Sequence, residues 1–114
     1  MDYNQDFIKE EVICDWKVTE RTKKVWWVQL DLLKVLDKVC KDHGLRWYPM
    51  WGTLLGTIRH KGFIPWDDDV DIVMPREDYD RFQEICREEI KDPYYLQSTT
   101  NDEECFYMWI SLRN

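Results

Sequence analysis

Four of the five residues from Asp67 to Asp71 are aspartates, and they run directly into Val70, Ile72, Val73 and Met74. The apolar run reads as a strand, about Asp69 to Met74, entering a core, so any fold must hold negative charge at the edge of its interior. Alternation along a strand puts Asp67, Asp69 and Asp71 on one face and Asp68, Val70, Ile72 and Met74 on the other. Carboxylates spaced roughly 6 to 7 Å apart on one face repel by about 2.5 kcal/mol per pair at an effective dielectric near 20. Water, basic partners or a bound cation must offset that repulsion. Oxygen-only donors favour a hard ion, and Mg2+ held by one or two carboxylates together with substrate phosphates fits best, with Mn2+ also suitable. The bland alternative is a solvated acidic turn. Pairing with Arg59 or Arg76 would relieve one or two charges, not four.

The rest of the chain supplies the elements around this segment. Val25, Val28, Leu32, Leu36 and Val39 step by three or four residues, and Trp26, Leu30, Leu33 and Cys40 widen the stripe. This predicts an amphipathic helix from Thr19, its N-cap, to His43, stopped by Gly44. Arg46 to Trp51 reads as a short strand interrupted by Pro49, and a helix follows Gly52 and ends at Lys61-Gly62. A second amphipathic helix is predicted from Arg76 to Ile90, with Tyr79, Phe82, Cys86 and Ile90 on its buried face. Tyr94 to Ser98 and Cys105 to Leu112 read as strands joined by a polar turn over 99–104. Residues 1–18, with Phe7-Ile8 and Val12-Ile13 as apolar clusters, form an arm expected to pack on a domain of residues 19–114.

Gly52 and Thr53 stand where a strand meets a helix. Glycine allows close backbone approach, threonine offers a hydroxyl, and the positive end of the helix faces the same place, a combination suited to phosphate. The ordinary meaning of such a pair is a helix N-cap. Arg59, His60 and Lys61 end that helix and either complement its dipole or contact phosphate or an acceptor.

With 114 residues, 44% of them hydrophobic, and seven tryptophans, the chain can bury the core of one domain. Its formal net charge of −7 argues against coating a nucleic acid backbone. Cys14, Cys40, Cys86 and Cys105 are irregularly spaced and read as free thiols of a reducing compartment. No run is long enough to span a bilayer, which points to a cytoplasmic protein, peripheral to a membrane at most.

Taken together, "WGTLLGTIRHKGFIPWDDDVDIVMPREDYDRF" from Trp51 to Phe82, "KKVWWVQLDLLKVLDKVCKDHGL" before it and "CFYMWISLRN" after it resemble the LicD family. Its members include phosphocholine transferases and fukutin-type phosphoribitol transferases. The resemblance implies an α+β, nucleotidyltransferase-like fold, a small mixed β-sheet with packed helices. It also implies that Asp69 and Asp71 hold the divalent metal, that Asp67 is an additional ligand, and that Gly52 and Thr53 contact phosphate. The implied reaction moves a phosphorylated alcohol, such as phosphocholine, from a CDP-linked donor to a hydroxyl of a cell-surface or capsular glycan, such as lipopolysaccharide or teichoic acid.

In that family pattern a further acidic strand follows the stretch similar to Ser111-Leu112-Arg113-Asn114. Asp102, Glu103 and Glu104 are poor substitutes for its acid. A fragment or shortened member with an incomplete sheet is therefore expected, prone to self-association through an exposed sheet edge. Two other readings stay open: a non-catalytic module that binds metal or a protein partner, and a nucleotidyltransferase acting on a small alcohol.

Overall fold

Thr19 sets the frame. Its backbone is extended and its hydroxyl accepts from the Thr22 N–H at 3.2 Å, which starts helix α1 (Glu20–His43) at the expected residue. At the other end Gly44 adopts φ 66°, and the Leu45 N–H closes onto the Cys40 carbonyl at 2.8 Å. That left-handed stop turns the chain and drops Leu45 into the core. The computed structural model describes residues 2–97 and 111–113.

The buried stripe of α1 differs from the expected one in its first half. Trp26, Leu32, Leu36, Val39 and Cys40 are buried as predicted, but Lys23 takes the inner face near the N-terminus and Val25 is exposed. The cause is what α1 packs against there. Residues 11–18 form a hairpin, β1 (Glu11–Ile13) and β2 (Trp16–Val18), turned by Cys14 and Asp15 at positive φ. Ile8 and Val18 anchor it, Phe7 meets the Trp27 ring at 5.3 Å, and Lys23 reaches out to pair with Glu11. Val12, expected to pack, instead points to solvent.

Strand β3 (Tyr48–Pro49) pairs antiparallel with β4 (Ile72–Val73), with Tyr48 opposite Val73 and Pro49 opposite Ile72. Both strands are shorter than the predicted runs. Pro49 has no N–H to extend the ladder, and Trp51, at φ 48°, turns the chain at once into helix α2 (Trp51–Arg59). Consequently Asp67 to Asp71 lie outside the strand, and simple alternation does not govern their side chains.

After α2 the chain doubles back across it. A Cβ on Gly56 would lie 2.5 Å from the Gly62 carbonyl oxygen and 3.2 Å from the Ile64 nitrogen, so only glycine admits this backbone crossing. Ile64 and Pro65 are buried by it, and Phe63 stacks flat on Trp26 at 4.8 Å.

Helix α3 (Arg76–Glu89) completes the core. Phe82 and Cys86 are buried against Leu36, Val39, Cys40 and Leu45, and Ile90 packs on the same cluster. Tyr79 is only half-buried and lies against the Arg76 guanidinium at 5.1 Å. Asp78 is the buried residue at this end of the helix, where it accepts from the Arg46 N–H at 2.8 Å and Arg46 Nε at 2.9 Å. A third ladder, β5 (Tyr95–Gln97) with β6 (Ser111–Arg113), pairs Leu96 with Leu112 beside the core. The predicted turn over 99–104 and the residues from Cys105 to Ile110 lie outside the described residues. The described residues thus make an α+β fold of three helices and short antiparallel ladders. Cys14, Cys40 and Cys86 are free thiols. Burial pushes Cys40 up to about 11 and Cys86 up to about 12, which removes both from nucleophilic chemistry.

Two consequences can be measured. Hydrogen bonds from Arg46 hold the Asp78 carboxyl below the usual carboxylate range. Its stabilising effect is therefore complete above about pH 4 and is lost as pH falls through the lower folded-state value. In thermal melts the gap between the parent and Asp78→Asn should be widest at neutral pH and close in acid; a gap that does not change with pH contradicts this pairing. Gly56→Ala should cost about 1–3 kcal/mol in urea denaturation, because backbone atoms must move. An unchanged midpoint would mean that the crossing is not rigid.

Candidate functional site

The first turn of α2 clasps the acidic segment through Asp71. The Met50 N–H donates to the Asp71 carbonyl at 3.1 Å, and the Asp71 N–H donates to Thr53 Oγ1 at 2.8 Å. Met50 precedes the positive-φ turn at Trp51, and Thr53 follows it by two residues. Thr53 is not the N-cap that a Gly-Thr pair ordinarily signals: Met50 occupies that position without a side-chain bond, and Gly52 and Thr53 lie inside the first turn. The hydroxyl is thereby released from capping and fixes the acidic backbone instead.

Asp67 is held from the opposite side. Its carbonyl accepts from Trp26 Nε1 at 2.6 Å, and its N–H donates to the Ile64 carbonyl at 2.9 Å. Its carboxylate then lies over Gly52, where a Cβ would stand 2.7 Å from Asp67 Oδ2. The close approach that Gly52 permits is thus that of a carboxylate, seated at the positive end of α2. Trp26 reads in the sequence as core only. Its indole N–H has no signature in spacing, because the bond crosses 41 residues.

Asp67 and Asp71 are half-buried, while Asp68 and Asp69 are exposed. Despite that exposure, desolvation pushes the Asp69 carboxyl above its ordinary value, and repulsion from Asp71, Asp68 and Asp67 adds to the effect. None of the four forms an ion pair with a described residue. Arg76 pairs with Asp80 at 3.6 Å, and Arg59 Nε donates to His60 Nδ1 at 3.3 Å, so neither arginine relieves the cluster. The donors are all oxygen, and among the described residues no cationic side chain neutralises them, which is the environment that suits a hard divalent cation.

Other expected members are not brought in. Among the described residues no three His, Cys, Asp or Glu side chains gather closely enough to hold a metal ion. Arg59, His60 and Lys61 sit at the far end of α2, about 12 Å along its axis from Gly52. There His60 meets Trp66 edge-on at 6.3 Å.

Residues 44–111 match a family model described as LicD/FKTN/FKRP, nucleotidyltransferase domain. Over 82 residues the chain is 38% identical to the lipopolysaccharide cholinephosphotransferase LicD of Haemophilus influenzae, which covers 72% of this chain and 30% of that protein. It is 41% identical over 54 residues to an uncharacterized protein of Rickettsia typhi, covering 47% of this chain and 18% of the relative. The chain therefore spans less than a third of the length of these relatives. No solved structure matches it. The family match runs across α2, the acidic segment and α3 alike, and by it this chain belongs to the LicD family.

Proposed function

We propose that the chain carries the metal- and phosphate-binding part of a LicD-type transferase, which moves a phosphorylated alcohol such as phosphocholine from a CDP-linked donor to a glycan hydroxyl. The observation that carries this reading is the clasp. Thr53 and Asp71 bind one another directly, so the glycine-hydroxyl turn and the Asp69–Asp71 pair form one place and not two. The name of the Haemophilus relative, a lipopolysaccharide cholinephosphotransferase, supports the same chemistry.

In this reading Asp69 and Asp71 hold Mg2+, or Mn2+, together with the donor phosphates. When bound, the ion neutralises charge that develops on the transferred and leaving phosphates. Thr53 keeps its own O–H proton after accepting from Asp71, so it can donate to a phosphate oxygen. Asp67 occupies the approach to Gly52, and it acts on the site through water or by yielding that position to phosphate. Arg59, His60 and Lys61 lie too far along α2 to share the first-turn phosphate and are assigned to the acceptor side. Acceleration comes from positioning and charge neutralisation, with little covalent chemistry asked of the protein.

A second reading, binding without turnover, is favoured by the absence of a third gathered acid among the described residues. Calorimetric titration with Mg2+ and CDP-choline, followed by product analysis with labelled donor, separates the two. The parent should bind CDP-choline only with Mg2+, and Asp69→Asn/Asp71→Asn should lose that binding while melting higher in EDTA, because its repulsion is gone. Thr53→Val should weaken Mg2+ by about 10–100-fold, as loss of an orienting partner does, and Thr53→Ser should restore it. Phosphocholine transfer releases CMP; nucleotide transfer would release phosphocholine. If no Mg2+ or donor binds the parent, the proposal fails. Binding without any product supports the second reading.

A further inference from the structure

The helix that carries the clasp also carries an unexplained face. Trp51, Leu54, Leu55 and Ile58 recur at the spacing of one helical side, yet all four are exposed, Trp51 by 70% and Ile58 by 64%. The side of α2 that does face the protein is made by Gly56, with Gly52 and Thr53 half-buried. An amphipathic helix has thus been set with its apolar side outward. At its C-terminal end His60 meets Trp66, itself 53% exposed, and Trp66 meets the exposed Trp16 at 5.9 Å. Arg59 and Lys61 flank this end, both exposed and neither in an ion pair with a described residue.

We propose that this face of α2 seats the domain on a membrane surface bearing anionic phosphate headgroups. Tryptophans beside aliphatic side chains suit the boundary between acyl chains and headgroups, and Arg59 with Lys61 supplies charge complementary to lipid phosphate. The first turn of α2, which Asp67 and Asp71 contact, lies about 12 Å along the axis from this basic end. A second copy is a poorer occupant. It would bring a duplicate of the same basic pair, Arg59 and Lys61, onto the face, where like charges meet. The inference deepens the proposed transfer to a glycan hydroxyl and rests on that reading for its purpose: the site helix would lie on a membrane surface that presents the acceptor. The contact itself requires neither donor nor metal.

Co-sedimentation with vesicles of phosphatidylcholine, with and without phosphatidylglycerol, tests it in EDTA and without donor, with tryptophan emission as a second readout. The chain should pellet with phosphatidylglycerol vesicles, and its emission should shift to the blue. Leu55→Ser/Ile58→Ser, both at exposed positions, should abolish both signals while the circular dichroism spectrum stays unchanged. Arg59→Ala/Lys61→Ala, which leaves the apolar face intact, should weaken binding to the anionic vesicles by about thirtyfold and leave binding to phosphatidylcholine unaltered. Failure to pellet with either vesicle overturns the proposal. So does a dimer in analytical ultracentrifugation that Leu55→Ser/Ile58→Ser dissociates, since that assigns the face to a second copy. Because no donor or Mg2+ is present, either failure leaves the transferase reading standing, and loss of donor binding leaves this one standing.

Discussion

The two hydrogen bonds on either side of Asp71 organise the molecule. The ladder between β3 and β4 is only two residues long, too short by itself to aim a charged loop. The Met50 N–H and the Thr53 hydroxyl extend it by one residue, from the start of a helix. This makes the position of α2 and the position of the acidic segment a single variable. A charged loop would otherwise relax toward water to lower its own repulsion. Here its backbone cannot move without breaking both bonds.

The surrounding fold serves that constraint. Trp26 on α1 fixes Asp67 from behind, and the crossing at Gly56 brings residues 62–64 close enough for Trp26 to stack on Phe63. Arg46, pinned by Asp78 of α3, fixes the chain just before β3. Each of the three helices therefore contributes one contact that holds either the acids or the chain entering β3, the partner of the strand they lead into. The charge is tolerated because the packing and hydrogen bonds around it are made by residues that bear no share of it.

Much of this was legible in the sequence, for identifiable reasons. The span of α1 was written in Thr19, Gly44 and a regular stripe, all local signals. The acids and the glycine-hydroxyl turn stood out as a candidate site, because a run of like charge beside an apolar run has few structural uses. What escaped were contacts between distant residues. Pro49 and the positive φ of Trp51 cut the strands short, so alternation lost its hold on Asp67 to Asp71. Asp78 displaced Tyr79 from the inner face because Arg46 arrived there, 32 residues earlier in the chain. Arg59, His60 and Lys61 looked adjacent to the acids in sequence, but a helix length separates them from the first turn of α2.

The central claim is that one place, where the first turn of α2 meets Asp69–Asp71, takes a hard divalent cation. Its most direct test is paramagnetic broadening of amide resonances in the 15N-labelled protein by substoichiometric Mn2+. The account predicts that Gly52, Thr53 and residues 69–71 broaden first, and that the C-terminal half of α1, remote from Trp26 and the acids, broadens last. Broadening centred on the other acids of the fold, such as Asp31 and Asp37 of α1, or spread evenly over the surface, would contradict it.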